Sequence, residues 1–315
     1  MDIWIELFKE ELRKLKENFD FIESLKTEIK PTSENYKYCT SIYRRKFVYS
    51  SIIISLYGLV ENFVEKFSFQ YTESIEDTIP SYESLDSKFK DNHFNLSIEL
   101  VKKITNGKHS KFSSLNKNNV LKKLNDCLVT KQPYKLNKEA FTINTGNLKH
   151  SKVCEILSNL NIKNLEKRLI EDGYWDRDIT FNKLDDLVER RNEIAHGGNI
   201  ENFLNSSEIE PYFDFVEKYL ITIAKIMKKE IEQLGLKYKK SISILLENVK
   251  VYGSNILGII GNNTNINEDT KILIEKNNTL TLGTIENIEN HKDGVTLKLN
   301  QNIKDNYKYW LVKQG

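Results

Sequence analysis

The stretch Phe181-Asn-Lys-Leu-Asp-Asp-Leu-Val-Glu-Arg-Arg-Asn-Glu-Ile-Ala-His196, followed by Gly197-Gly198, organises the reading of this chain. Its apolar residues Leu184, Leu187, Val188, Ile194 and Ala195 recur at helical spacing. Arg191 stands seven residues after Leu184, four after Leu187 and three after Val188, so it projects from the same face. A guanidinium on a buried face needs a carboxylate, a cleft or a second subunit. The paired glycines supply C-cap chemistry and leave His196 in the last turn, where the negative end of the helix dipole favours an imidazolium suited to acid-base work. Asn192, four residues before His196, shares its face and can reach the ring or a bound ligand. At about 100° per residue, Arg191 and His196 lie roughly 140° apart around the axis. One helix therefore makes a poor site from the two, whereas two such helices packed across a two-fold axis bring both sets into one cleft.

Outward from this helix, residues 3 to 29 place Trp4, Leu7, Leu12, Leu15, Phe19, Ile22, Leu25 and Ile29 at three/four spacing. The pattern predicts one long amphipathic helix ended by Pro31, and a packed bundle helix is preferred over a short coiled coil. Thr32-Ser33 offers caps for a second long helix through about Phe69, in which Ile52-Ile53-Ile54 is apolar on more than one face and marks the centre of a bundle. Glu61 on that helix is either a surface carboxylate or the anionic partner of Arg191 or His196.

From Pro80 to Gly146 the pattern weakens, with helical pieces near 93–105 and 116–129 among polar loops. Lys102, Lys103, Lys108, Lys111, Lys117, Lys122 and Lys123, with His109 and Phe112 nearby, form a basic run that is either a solvated face or a contact for RNA phosphates; Arg190 is a further candidate for such contacts. Another helical segment spans 147–171, and Tyr174 and Trp175 in the following turn either pin the loop to the core or stack on a base. A last helix is expected over 207–234, ending at Gly235.

Beyond the basic link Leu236-Lys-Tyr-Lys-Lys240 the character changes to six short β-rich runs separated by Asn/Gly/Asp turns: 249–252, 256–260, 271–274, 279–282, 295–299 and 307–311. The expected fold class is mainly α, a helical bundle over 1–240 with an irregular insertion around 76–146, plus a small all-β barrel or sandwich over 245–315.

A net charge of only +2 over 315 residues excludes a global basic field, though not a local one. Cys39, Cys127 and Cys154 form no Cys-x-x-Cys pair and read as neither a disulfide framework nor a zinc site, which points to a reducing compartment. His93, His109 and His150 have no ligand-spaced partners and are expected to be surface or core histidines, so no metal ligand is assigned. No apolar run of membrane-spanning length is apparent and the N-terminus is unlike a signal peptide, so a cytoplasmic protein without a membrane partner is expected. No Gly-rich phosphate loop occurs, which argues against P-loop nucleotide hydrolysis.

Arg191-Asn192-Glu193-Ile194-Ala195-His196 resembles the Arg, polar residue, three further residues, His pattern of the HEPN superfamily. Tyr57-Gly-Leu-Val-Glu-Asn-Phe63 is similar to the upstream Tyr, apolar, Glu-x-Phe helix of its prokaryotic toxin and defence branch. Asn147-Leu-Lys-His-Ser-Lys-Val-Cys-Glu-Ile-Leu157 is similar to the Asn-Leu segment that precedes the motif helix there. The likeness covers roughly residues 33–235. It implies a HEPN-like bundle and a metal-independent, cofactor-free endoribonuclease that acts as a homodimer on RNA, tRNA included, with an antitoxin or defence-system protein as a further partner. In that reading His196 is general base or acid, Arg191 stabilises the transition state and Asn192 positions one or the other. The alternative is a non-catalytic helical dimerisation or RNA-binding module that senses or neutralises a partner.

Overall fold

The computed structural model describes residues 2–106, 112, 114–130, 133–173, 181–196, 202–261, 266–267, 269–277 and 279–312. The chain divides into two compact units, Met1–Lys228 and Lys229–Gly315. The cut lies within the last helix, upstream of the basic 236–240 stretch expected as the link.

In the first unit, α1 (Asp2–Glu28) buries Phe8, Leu12 and Phe19. The single helix expected after Ser33 is two. Ser33 caps α2 (Glu34–Thr40) by accepting the Tyr36 N–H, and Ser41 then turns extended (φ −59°, ψ 145°) and accepts the Arg44 N–H to start α3 (Ile42–Thr78). Two successive hydroxyl residues, Thr40 and Ser41, compete with the helix for the same backbone groups. Ile53, Leu56 and Val60 of α3 are fully buried, each contributing about 1.5–3 kcal/mol relative to exposure. The adjacent Ile54 is exposed, so the triple-Ile run is not covered on every side. Among the described helices α3 alone is long and apolar enough to cross a membrane, contrary to the expectation above. Here its apolar face is core: Phe63 meets Phe8 of α1 edge-on at 4.8 Å and stacks on Phe67 at 4.2 Å.

The region expected as an irregular insertion contains α4 (Ser87–Thr105) and α5 (Lys117–Asn125), closed by a π-helical turn and a 3-10 turn. Leu100, Phe112, Val120, Ala140 and Ile143 give it a small core of its own. Next come α6 (His150–Asn159) and α7 (Leu165–Gly173), separated at Asn161 and Asn164, which adopt the left-handed conformation that Asn tolerates best after Gly. The motif helix α8 (Asn182–Ala195) packs on α3, and α9 (Ser206–Ser241) closes the chain of helices.

The second unit is a curled antiparallel half-barrel of seven strands: β1 (Ile244–Leu245), β2 (Val249–Tyr252), β3 (Ile256–Ile260), β4 (Lys271–Lys276), β5 (Thr279–His291), β6 (Gly294–Leu299) and β7 (Lys308–Leu311). The order is β1-β7-β4-β5-β6-β3-β2. The long β5 pairs with β4 through its first half and with β6 through its second, with an irregularity between Ile285 and Asn287 that bends the sheet on itself. Gly294 lets β6 approach β3, since a Cβ there would collide with the Ile259 carbonyl oxygen. The helix expected to end at Gly235 continues to Ser241 because its last turns are part of this unit. Leu236 packs with Leu273, Leu280 and Trp310, and Lys240 lies 2.9 Å from Glu275 and 4.4 Å over the Trp310 ring.

Candidate active site on the motif helix

Leu184, Leu187 and Val188 anchor α8 in the core, while Ile194 is half-buried and Ala195 exposed. The fully buried stripe therefore runs out at Val188, about two turns before the end of the helix, and those turns carry the motif.

Arg191 is held on three sides. Its guanidinium lies 4.2 Å over the ring of Tyr57, its Nη2 stands 3.7 Å from Glu61 Oε1, and its Nη1 donates to Asn192 Oδ1 at 2.9 Å. Its side chain is still 28% exposed and that of Glu61 36%. A guanidinium has five N–H donors, so this arrangement fixes the fork and leaves donors for an incoming anion.

Tyr57 is the hub beneath it. Its hydroxyl donates to Glu61 Oε1 at 2.9 Å and accepts the Leu148 N–H at 3.1 Å. Burial pushes this phenol up to about 12, so it acts as a fixed donor and not as a base. Asn147, one residue before Leu148, sits at φ 53°, which turns the chain so that the Leu148 N–H meets the phenol. His196 is the C-cap of α8: its backbone N–H returns to the Asn192 carbonyl at 3.0 Å, and its side chain is exposed. Asn192, expected to position either His196 or Arg191, accepts from Arg191 Nη1.

The family model described as RiboL-PSP-HEPN matches residues 8–229. The chain belongs to the RiboL-PSP-HEPN family. No curated protein and no solved structure matches it. The match spans α1 through most of α9, so the HEPN domain comprises the helical unit and leaves the β-sheet outside it.

The other residues singled out from the sequence are dispersed through the HEPN domain. Arg190 does not stand ready for RNA: it donates to Asp186 at 2.7 Å, to Tyr49 Oη at 3.3 Å and to the Asn202 carbonyl at 3.4 Å, as the brace of α8. Lys103 is likewise committed, to the Ile143 carbonyl at 3.1 Å and to Asn144, whereas Lys102 on α4 and Lys117 and Lys122 on α5 are exposed. Phe112, grouped with these lysines, is buried in the small core and is no stacking platform. Lys108, His109, Lys111, Tyr174, Trp175, Gly197 and Gly198 lie outside the described residues. His93 is a core histidine: Nε2 accepts the Asn137 N–H at 3.0 Å and Nδ1 lies 3.0 Å from Tyr82 Oη. His150 is not solitary as expected, because Cys154, Glu166 and Tyr219 surround its ring.

Proposed function

We propose that this HEPN protein is an endoribonuclease whose working site is the exposed end of α8, built from Arg191 and His196 and doubled by a second copy of the chain. The observation that carries the reading is the setting of Arg191: Glu61, Tyr57 and Asn192 fix it from within while its outer edge and His196 face solvent. Remaining guanidinium donors would hold the non-bridging oxygens of a phosphodiester as charge gathers on them. His196 would take the proton of the ribose 2′-OH, or give one to the departing 5′-oxygen. The 2′-oxygen forms a bond to phosphorus as the bond to the 5′-oxygen breaks, leaving a 2′,3′-cyclic phosphate and a 5′-OH, with neither cofactor nor metal in the step. Because Arg191 and His196 point about 140° apart on one helix, two α8 helices related by a two-fold axis complete the cleft, and the emergent last turn is the surface through which they would meet.

RNA, tRNA included, is the proposed substrate. A cytoplasmic toxin or anti-phage effector, restrained by an antitoxin or a defence-system partner, is the setting that such activity suits. The test is cleavage of total RNA by the wild type, Arg191→Ala, His196→Ala and an equal mixture of the two variants. Loss in each variant and partial recovery in the mixture support a site shared between two copies. Equal cutting by all four removes the motif from the chemistry, and binding without cutting favours a non-catalytic RNA-binding module.

A further inference from the structure

We propose that His150, Cys154 and Glu166 bind a divalent cation of the zinc class, which ties α6 to α7. His150 and Cys154 stand four residues apart on α6 and so share one helix face, and Glu166 in the first turn of α7 supplies the third side. His150 Nε2 lies 3.4 Å from Cys154 Sγ and 3.4 Å from Glu166 Oε1, and the ligand atoms all fall within 4.8 Å of one another. A tetrahedral zinc ion, with bonds of about 2.0 Å to imidazole and carboxylate and about 2.3 Å to thiolate, sets nitrogen about 3.5 Å from sulfur and about 3.3 Å from oxygen. Two edges of that tetrahedron are thus already in place. The Glu166 side chain, 69% exposed, has room to close the third and leaves an entry path for the ion. One imidazole, one thiolate and one carboxylate form a borderline donor set, and three protein ligands leave a fourth position for water.

The surroundings aim the histidine. Its Nδ1 lies 2.8 Å from Tyr219 Oη, the Phe181 ring stacks on it at 4.2 Å, and its backbone N–H donates to Asp185 of α8 at 2.7 Å. Without an ion, Tyr219 donates to Nδ1 and the Nε2 proton faces Glu166, which satisfies both nitrogens. With the ion, the ring proton moves to Nδ1, Tyr219 Oη becomes the acceptor and the Cys154 thiol gives up its proton, so one proton is released per ion bound. Burial pushes that thiol up to about 11, which argues against a free nucleophilic cysteine here. The ion would steady the start of α6, two residues from the Leu148 N–H that holds Tyr57 under Arg191.

The test is titration of the full, metal-stripped, reduced chain with Co²⁺. One equivalent should develop a thiolate-to-cobalt charge-transfer band and the visible bands of a four-coordinate ion, both erased by added Zn²⁺. Cys154→Ser should abolish the charge-transfer band and Cys39→Ser should keep it. Glu166→Gln, a change at an exposed side chain that spares the fold, should weaken binding about tenfold or more. A wild type that gives no such band, a band that survives Cys154→Ser, or unchanged affinity in Glu166→Gln overturns the site.

Discussion

The Arg191 guanidinium rests 4.2 Å over the ring of Tyr57, and the hydroxyl of that same ring joins Glu61 to the Leu148 N–H. One aromatic side chain on α3 therefore positions the cation of the motif helix, orients its counter-charge and tethers the segment entering α6. Tyr57→Phe keeps the ring beneath Arg191 and removes both hydrogen bonds, leaving the N–H of the buried Leu148 unpaired. The expected cost is about 1–3 kcal/mol of stability, read as a lower urea midpoint at unchanged slope, together with weaker cleavage. Tyr57→Leu, which also removes the cation–π contact, should cleave less still.

Glu61→Gln separates the electrostatic role of this carboxylate from its packing. The amide oxygen can still accept from Tyr57, but the charge facing Arg191 is gone. Both side chains are partly exposed, so stability should move by less than about 1 kcal/mol. Cleavage should fall much further, by up to about a hundredfold, because a loosened Arg191 no longer meets the phosphate in register. Parallel urea melts and kcat/KM values check the split; equal small effects on both would make Glu61 a bystander.

Arg190 and Arg191 are neighbours with different partners: Asp186 and Tyr49 for the first, Glu61, Tyr57 and Asn192 for the second. Arg190→Ala should lower the thermal midpoint, because Asp186 and Tyr49 lose their shared partner. It should leave the salt dependence of RNA binding by the refolded protein unchanged, whereas loss of an exposed phosphate contact reduces that slope by about one. A shallower slope in Arg190→Ala would return this residue to the RNA surface.

Burial holds His93 down to about 4, against its ordinary 6.5. Below pH 6.5 the unfolded chain takes up a proton on this imidazole, while the folded chain resists until about pH 4. The stability linked to His93 is therefore complete above that window and lost as pH falls through it, by roughly 3 kcal/mol. Urea midpoints measured across the window should show this fall in the wild type and a smaller one in His93→Gln.

Legibility in the sequence followed the range of the interaction. The motif helix could be read because Leu184, Leu187 and Val188 keep a 3.6-residue period and Arg191 interrupts it, and an interrupting cation directs attention to carboxylates such as Glu61. Tyr57, at the head of Tyr57-Gly-Leu-Val-Glu-Asn-Phe63, carries no role legible in the sequence, since an aromatic at helical spacing reads as core until the chain that packs on it is known. The Ser41 break carried a local signal in Thr40-Ser41 that the apolar period on either side outweighed. Gly235 misled in the other direction: its cost in a helix interior, about 1 kcal/mol, is offset by Leu236 and Lys240 packing on the sheet. The two-residue β1 falls below any periodicity. The four-residue step from His150 to Cys154 is open to reading in the sequence, but the expectation that His150 has no ligand-spaced partner passes over it, and Glu166, on another helix, enters only through the fold.

The most direct measurement is the end chemistry of RNA cut by the wild type beside Arg191→Ala and His196→Ala, with no divalent metal added. The wild type alone should yield fragments ending in 2′,3′-cyclic phosphate and 5′-OH, with both variants folded and silent. Fragments ending in 3′-OH and 5′-phosphate, or undiminished cutting by either variant, would contradict the proposed mechanism.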